Sequence, residues 1–172
     1  DLLDNLLKWT KSQTGRLKVA YQDFDVIDVV TGVYGIFTMI AETKKIALTM
    51  EENVAGLKVR ADKDMLNTVV RNFLSNAIKF TPEGSAIEII VDKKDDFAKI
   101  SIRDHGVGIA PDGIEGRFHK GETTYGTNNE EGSGLGLQLC KDFAEKNGGD
   151  VMVESVLGEG STFSVLVPLL KN

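Results

Sequence analysis

The chain has 172 residues, the size of one ordinary domain, with 41% hydrophobic and 27% charged residues. That balance excludes a disordered tail, a collagen-like repeat and a membrane-embedded chain, and no run approaches the roughly 18 apolar residues of a spanning helix. One cysteine excludes a disulfide framework and a multi-Cys zinc site and fits a reducing, cytoplasmic setting, while a formal net charge of −6 argues against a duplex nucleic-acid binder.

Residues 1 to about 20 read as a helix, with Leu2, Leu3, Leu6 and Leu7 gathered on one face and Gly15 ending it. No capping sequence precedes Asp1, which leads us to expect that this helix continues upstream in a longer chain. The two acidic residues in DLLDNLLKWT do not suit the cationic head of a signal peptide. Asp25 is placed to cap a second helix through VIDVVTGVYGIFTMIAETKK, against which Gly32 and Gly35 count. Two short strands, 46–50 and 57–61, follow around a polar turn. Asp62 or Asp64 then caps a strong helix that Pro82 and Gly84 terminate. Residues 86–91 and 98–103 read as a hairpin around DKKDD.

Nine of the 18 glycines lie between Gly106 and Gly136, a density that predicts a mobile functional loop rather than a connection. A helix over about 134–147 stops at Gly148–Gly149. Strands 151–156 and 162–168, joined by LGEG, close the chain. Helices interleaved with strand pairs predict a two-layer α/β sandwich: a mixed, mainly antiparallel sheet with helices packed on one face, plus the N-terminal helix. A doubly wound parallel sheet fits less well, because the strands read as hairpin pairs.

Four stretches carry chemistry. On the helix at 62–80, Leu66, Val69, Val70, Phe73, Leu74 and Ala77 share an apolar face, while Asn72, Asn76 and Lys79 fall on a different arc. Asparagines are poor helix-interior residues. The arc is either a solvated face or two amides and an ammonium aimed at one polyanion. An amide oxygen is a hard ligand suited to Mg²⁺, and a lysine suits phosphate. Asp104-His105-Gly106-Val107-Gly108-Ile109 follows a strand. It is either a strand-ending turn or a carboxylate acceptor beside backbone that can approach a flat ligand. Gly132-Ser133-Gly134-Leu135-Gly136-Leu137 opens a helix and is either a hinge or a phosphate cradle. It is neither a P-loop nor a dinucleotide fingerprint. Gly158-Glu159-Gly160-Ser161 is, alone, a hairpin turn.

The order of these stretches is more specific than any one of them. Over about residues 20–170 the sequence resembles the ATP-binding catalytic domain of sensor histidine kinases, in the superfamily that includes type II topoisomerase and mismatch-repair ATPases and heat-shock chaperones. NFLSNAIKFT matches the N box, DHGVGI the G1 box, GSGLGL the G2 box and GEGSTFSVLVP the closing glycine turn. GRFHKG looks like a shortened F box with Phe118 at its signature position, and residues 1–20 look like the end of a dimerisation helix and its linker.

The resemblance implies a catalytic domain over 21–172 with a lid at about 112–131, and ATP and Mg²⁺ as cofactors. By the same resemblance, Asn76 would be the Mg²⁺ ligand, with Asn72 and Lys79 near the phosphates and Phe80 beside the adenine. Asp104 would accept the adenine amino group. Gly106 and Gly108 would admit the base, with Ile109 completing the motif. Gly132, Ser133, Gly134, Leu135, Gly136 and Leu137 would line the phosphates and hinge the lid. Ser161 would close the pocket through a water shared with Asp104. No residue is given a proton-transfer role. His105 stands where the family often has Asn, and Glu115-Gly116-Arg117-Phe118 is a looser F box than usual. Arg117 and Lys120 are either γ-phosphate contacts or solvated loop charges.

The family's phosphoacceptor is a helical His followed by an acidic residue. His105 precedes Gly and His119 precedes Lys, so neither fits. The expected reaction is ATP γ-phosphoryl transfer to a histidine on an absent dimerisation domain of a homodimeric parent, which in turn serves a response regulator. The expected location is the cytoplasm, with a parent that could be anchored in an inner membrane. An anti-sigma-type serine kinase and an ATP-gated clamp or chaperone share the boxes. The dimerisation-helix remnant is foreign to the first, and the second carries a transducer domain after the ATPase. Cys140 lies among Leu137, Phe143 and Ala144 at helical spacing and reads as a core thiol.

Overall fold

Alternating apolar residues between 86 and 104 build the middle of the sheet. In the computed structural model, which describes residues 2–114 and 136–171, Ile87, Ile89 and Val91 of one strand and Ala98, Ile100 and Ile102 of the next are buried. The strands in chain order are β1 (Tyr21–Asp25), β2 (Ala47–Glu52), β3 (Lys58–Asp62), β4 (Ala86–Lys94), β5 (Phe97–Asp104), β6 (Asp150–Val156) and β7 (Gly160–Pro168). The helices are α1 (Leu2–Gln13), α2 (Val26–Thr43), α3 (Lys63–Phe80), the short α4 (Pro111–Ile114) and α5 (Gly136–Lys146). β4 and β5 form the expected hairpin, as do β6 and β7. The main sheet has five strands in the order β2-β4-β5-β7-β6. Helices cover one face of this sheet, the two-layer arrangement the sequence predicts.

One pairing corrects the sequence reading. The strands at 46–50 and 57–61 do not pair with each other. β2 lies parallel to β4, with Ala47 opposite Ala86, whereas β3 pairs antiparallel with β1 in a separate two-stranded sheet. Parallel neighbours need a long crossover, which β3 and α3 supply. β1 carries no sequence signal: in Tyr-Gln-Asp-Phe-Asp only Phe24 is buried, so no alternation marks it as a strand.

Capping chemistry sets the helix starts. The Asp25 carboxylate accepts from the Ile27 N–H at 3.1 Å and begins α2. α2 has the length and hydropathy to cross a bilayer, yet Val26, Val29, Val30, Val33, Phe37 and Ala41 form a stripe buried in the core, and Gly32 and Gly35 are on its exposed side. Asp62, not Asp64, caps α3. Its Oδ1 accepts from Met65 N–H at 3.1 Å and its Oδ2 from Ala20 N–H at 2.9 Å. α3 then lays Leu66, Val69, Val70, Phe73, Leu74 and Ala77 against the sheet, where the Phe73 and Phe163 rings are 5.6 Å apart. α5 buries Leu139, Cys140, Phe143 and Ala144 beside it. Cys140 lies 3.7 Å from the Val69 carbonyl, and burial pushes its thiol far above the usual range, as befits a core thiol. Leu3, Leu6 and Leu7 of α1 do not enter this core: all three are exposed, and Lys8 and Ser12 reach Thr68 of α3 and Asp142 of α5 instead.

Candidate functional site

The C-terminal end of β5 delivers Asp104 into a buried corner, on the same sheet face as Ile100 and Ile102 and therefore toward the helices. Its Oδ1 accepts from the backbone N–H of Gly106 at 2.9 Å and of Ser161 at 3.2 Å. Oδ2 takes no hydrogen bond from the described residues. Desolvation pushes this carboxyl above the ordinary Asp range, against the opposing pull of the two backbone bonds.

The loop after Asp104 is held on both sides. Val107 N–H donates to the carbonyl of Phe80, the last residue of α3, at 3.3 Å, and Gly158 N–H donates to the Val107 carbonyl at 2.8 Å. Gly106 lies so close to α3 that a Cβ there would collide with the Phe80 carbonyl. Gly108 has φ +69° and would likewise collide with the Val156 carbonyl. The two glycines thus let the loop wedge between the end of α3 and the β6–β7 turn.

The Asn arc flanks that corner. Asn72, Asn76, Lys79 and Phe80 are all partly buried, off the core stripe of α3. Asn76 is one helical turn from both Asn72 and Phe80. Asn72 Nδ2 donates to the Thr68 carbonyl at 2.8 Å. Its Oδ1 faces the start of α5, where a Cβ on Gly136 would come within 2.9 Å. Lys79 Nζ lies 4.8 Å from the centre of the Phe80 ring. The structure therefore brings Asp104, Gly106, Gly108, Ile109, Phe80 and Ser161 together at one end and Asn72 with Gly136 at the other, with Asn76 and Lys79 between. Leu137 packs partly buried against the core. Phe118, Gly132, Ser133, Gly134 and Leu135, with Arg117, Lys120, His119 and nearly all of the lid, lie outside the described residues.

Two residues of this corner carry no sequence signal. Ser155 of β6 accepts from Ile109 N–H at 2.7 Å, and its hydroxyl lies 2.8 Å from that of Ser161 and 3.0 Å from the Gly160 carbonyl. It joins the β5 loop to the closing strand. Only the β6–β7 register, which sets Ser155 opposite Ser161, reveals it. Glu88 of β4 holds His105, whose Nε2 is 3.0 Å from its carboxylate.

The donor set can be tested against a metal–nucleotide ligand. Among the described residues no three His, Cys, Asp or Glu side chains are grouped to hold a metal. A divalent ion here would be held mainly by phosphate oxygens plus an amide oxygen, the low-protein-ligand habit of Mg²⁺, and Asn76, partly buried on α3 off its core stripe, carries such an amide.

A nucleotide-binding α/β sandwich is the class that this sheet, the α3 arc and the Asp104 corner define. Comparison with known proteins agrees. Residues 61–171 match the family described as Histidine kinase-, DNA gyrase B-, and HSP90-like ATPase. The chain belongs to this family. It is 33% identical over 171 residues to the histidine protein kinase DivJ of Caulobacter vibrioides, covering 99% of this chain and 29% of that protein. It is 30% identical over 168 residues to the alginate biosynthesis sensor protein KinB of Pseudomonas aeruginosa, covering 98% and 28%. The chain thus spans less than a third of these curated relatives. The catalytic domain of histidine kinase ThkA superposes with a TM-score of 0.77 at 26% identity, covering 87% of this chain and 96% of that one. Full-length ShkA in complex with AMPPNP gives 0.85 at 25% identity, covering 99% and 36%. Within the family, the chain is an ATP-binding catalytic domain of the sensor histidine kinase type.

Proposed function

We propose that this domain binds Mg²⁺–ATP in the corner between Asp104 and α3 and presents the γ-phosphoryl group to a histidine on a dimerisation domain of its parent. The observation that supports it is the buried Asp104 carboxylate. Backbone amides occupy one oxygen and leave the other for an exocyclic amino group, at the end of a helix that carries Asn72, Asn76 and Lys79. Adenine offers a donor at that position and guanine an acceptor, so Asp104 selects ATP over GTP. Asn76 would hold Mg²⁺, which when bound supplies charge neutralisation across the phosphates. Asn72 and Lys79 would orient the phosphate chain, and Phe80 would lie along the base. Ser161 supports the pocket by directing its backbone N–H at Asp104. Phosphoryl transfer depends chiefly on positioning and electrostatics, so a donor site needs no proton-transfer residue of its own.

The same reading has the parent working as a homodimer in the cytoplasm, free or membrane-anchored, passing phosphate from its histidine to a response regulator. Titrating the chain with a fluorescent ATP analogue in excess Mg²⁺ tests the site. Asn76→Ala should lose about 2 kcal/mol or more of affinity while keeping its fold, on the scale of contacts to charged groups. Unchanged affinity in the folded variant would remove Asn76 from the metal.

A further inference from the structure

The C-terminal turn of α3 is where Lys79 and Phe80 meet the nucleotide in the reading above, and helix ends leave carbonyls without partners. Here they are met from outside. The Phe80 carbonyl takes Val107 N–H. The two carbonyls before it take a lysine from another helix: Lys44 Nζ lies 2.8 Å from the Ile78 oxygen and 3.1 Å from the Lys79 oxygen. Lys44 is buried, with 8% of its surface exposed, which is rare for a lysine. Its approach is built into the backbone. Lys44 is the C-cap of α2, and the next residue, Lys45, adopts φ 57°, turning the chain inward. The Lys45 carbonyl then accepts from Gly84 N–H at 3.0 Å, just beyond α3. The ammonium therefore sits at the negative end of the α3 dipole and bridges the carbonyls of consecutive residues.

From this geometry we propose that Lys44 is a positioning residue of the nucleotide site: its ammonium pins the last turn of α3 and so fixes the directions of Lys79 and Phe80. The inference rests on the ATP reading above. The role is indirect, exerted through the two carbonyls that Lys44 holds. Without it the Ile78 and Lys79 carbonyls lose a buried charged donor, and the turn relaxes just where Phe80 also anchors the loop after Asp104.

The test is Mg²⁺–ATP affinity by calorimetry at a temperature where each variant is folded by circular dichroism. Wild type that binds no nucleotide would overturn the ATP reading itself, whereas the inference is judged on variants of a wild type that binds. Lys44→Met should bind at least ten-fold more weakly, and Lys44→Arg, which keeps donors for both carbonyls, should recover most of the loss. Val30→Ala, a truncation in the buried middle of the same helix, should lower the melting temperature and leave affinity unchanged. In a Lys79→Ala background, Lys44→Met should weaken binding by less than three-fold, because much of what it positions is already gone. Wild-type affinity in Lys44→Met, an equal loss in Val30→Ala, or an undiminished ten-fold loss in the Lys79→Ala background would each overturn the proposal. If Lys44→Met does not fold, Lys44→Gln, with one amide donor, decides it: a loss between those expected for Arg and Met supports the role, and full affinity rejects it.

Discussion

In the proposed function, Asp104 trades stability for recognition. Burial raises its pKa in the folded chain above the unfolded value. The folded state therefore holds its proton to higher pH, and the ionised carboxylate is a destabilising load above the folded pKa. That load lightens as pH falls through the folded pKa and vanishes below the unfolded one. Asp104→Asn keeps an oxygen for the Gly106 and Ser161 amides but carries no charge. Its apo form should melt higher than wild type at neutral pH, with the gap closing toward pH about 4, near the unfolded carboxyl. Thermal melts across that range check the sign, and a constant gap at all pH values would contradict it. The same variant should bind ATP more weakly, because the amide can present a donor to the adenine amino group. Gly106 works by absence instead. Gly106→Ala must push its methyl against the Phe80 carbonyl, so we expect a loss of about 1–3 kcal/mol in urea unfolding, the scale of overpacking, together with weakened nucleotide binding. A variant as stable as wild type would mean that the loop and α3 separate without cost.

At the scale of elements, α3 divides its duties between its two ends. The N-terminal end is structural. Asp62 receives Met65 and Ala20 N–H groups on its side chain, and its own N–H donates to Asn147 Oδ1 at 2.7 Å, which ties α5 to α3. Asn147 also donates to the Phe143 carbonyl at 2.7 Å and is buried. Asp62→Ala should cost about 2 kcal/mol, the upper part of the range for a cap. Asn147→Ala should cost about 1–3 kcal/mol, since it leaves a buried N–H unmet. Both variants should keep wild-type Mg²⁺–ATP affinity when folded, because Asp62 lies some four turns from Asn76. Denaturation midpoints and calorimetric titration separate the two effects. A large affinity loss in either variant would show that the ends of α3 are not independent.

For the molecule as a whole, the proposed activity needs a nucleophile held near the γ-phosphate. His105 does not have the setting expected of that nucleophile. It is turned toward Glu88 on the central sheet, and a glycine follows it in the sequence. The chain alone, incubated with γ-labelled ATP, should bind nucleotide and acquire no label. A separate protein carrying a histidine-bearing dimerisation helix pair should accept phosphate in trans, slowly, since the two pieces must first meet. Acid-labile, base-stable label on this chain by itself would place the acceptor within it.

Elements whose signals are local were legible in the amino-acid order. Period-3.6 apolar residues bounded by Asp62 and Pro82 define α3, and alternation around Asp95 and around Gly158 defines the two hairpins. The motif residues lie on or beside these elements: Asn76 one turn inside α3, Asp104 at the end of β5 and Gly106 just beyond it. What only the tertiary structure decided are the contacts between distant segments. β2 finds β4 across a crossover instead of its sequence neighbour β3, and β1 exists only because β3 is there to pair with it. Leu3, Leu6 and Leu7 of α1 stay exposed while its Lys8 and Ser12 grip α3 and α5. The corner around Asp104 depends on Ser155 and Ser161, and the end of α3 on Lys44, dozens of residues away. Short-range periodicity and capping act through neighbouring backbone, so they are written in consecutive residues. Register and buried polar contacts depend on which surfaces meet, and that is settled only when the sheet and its helices close on one core.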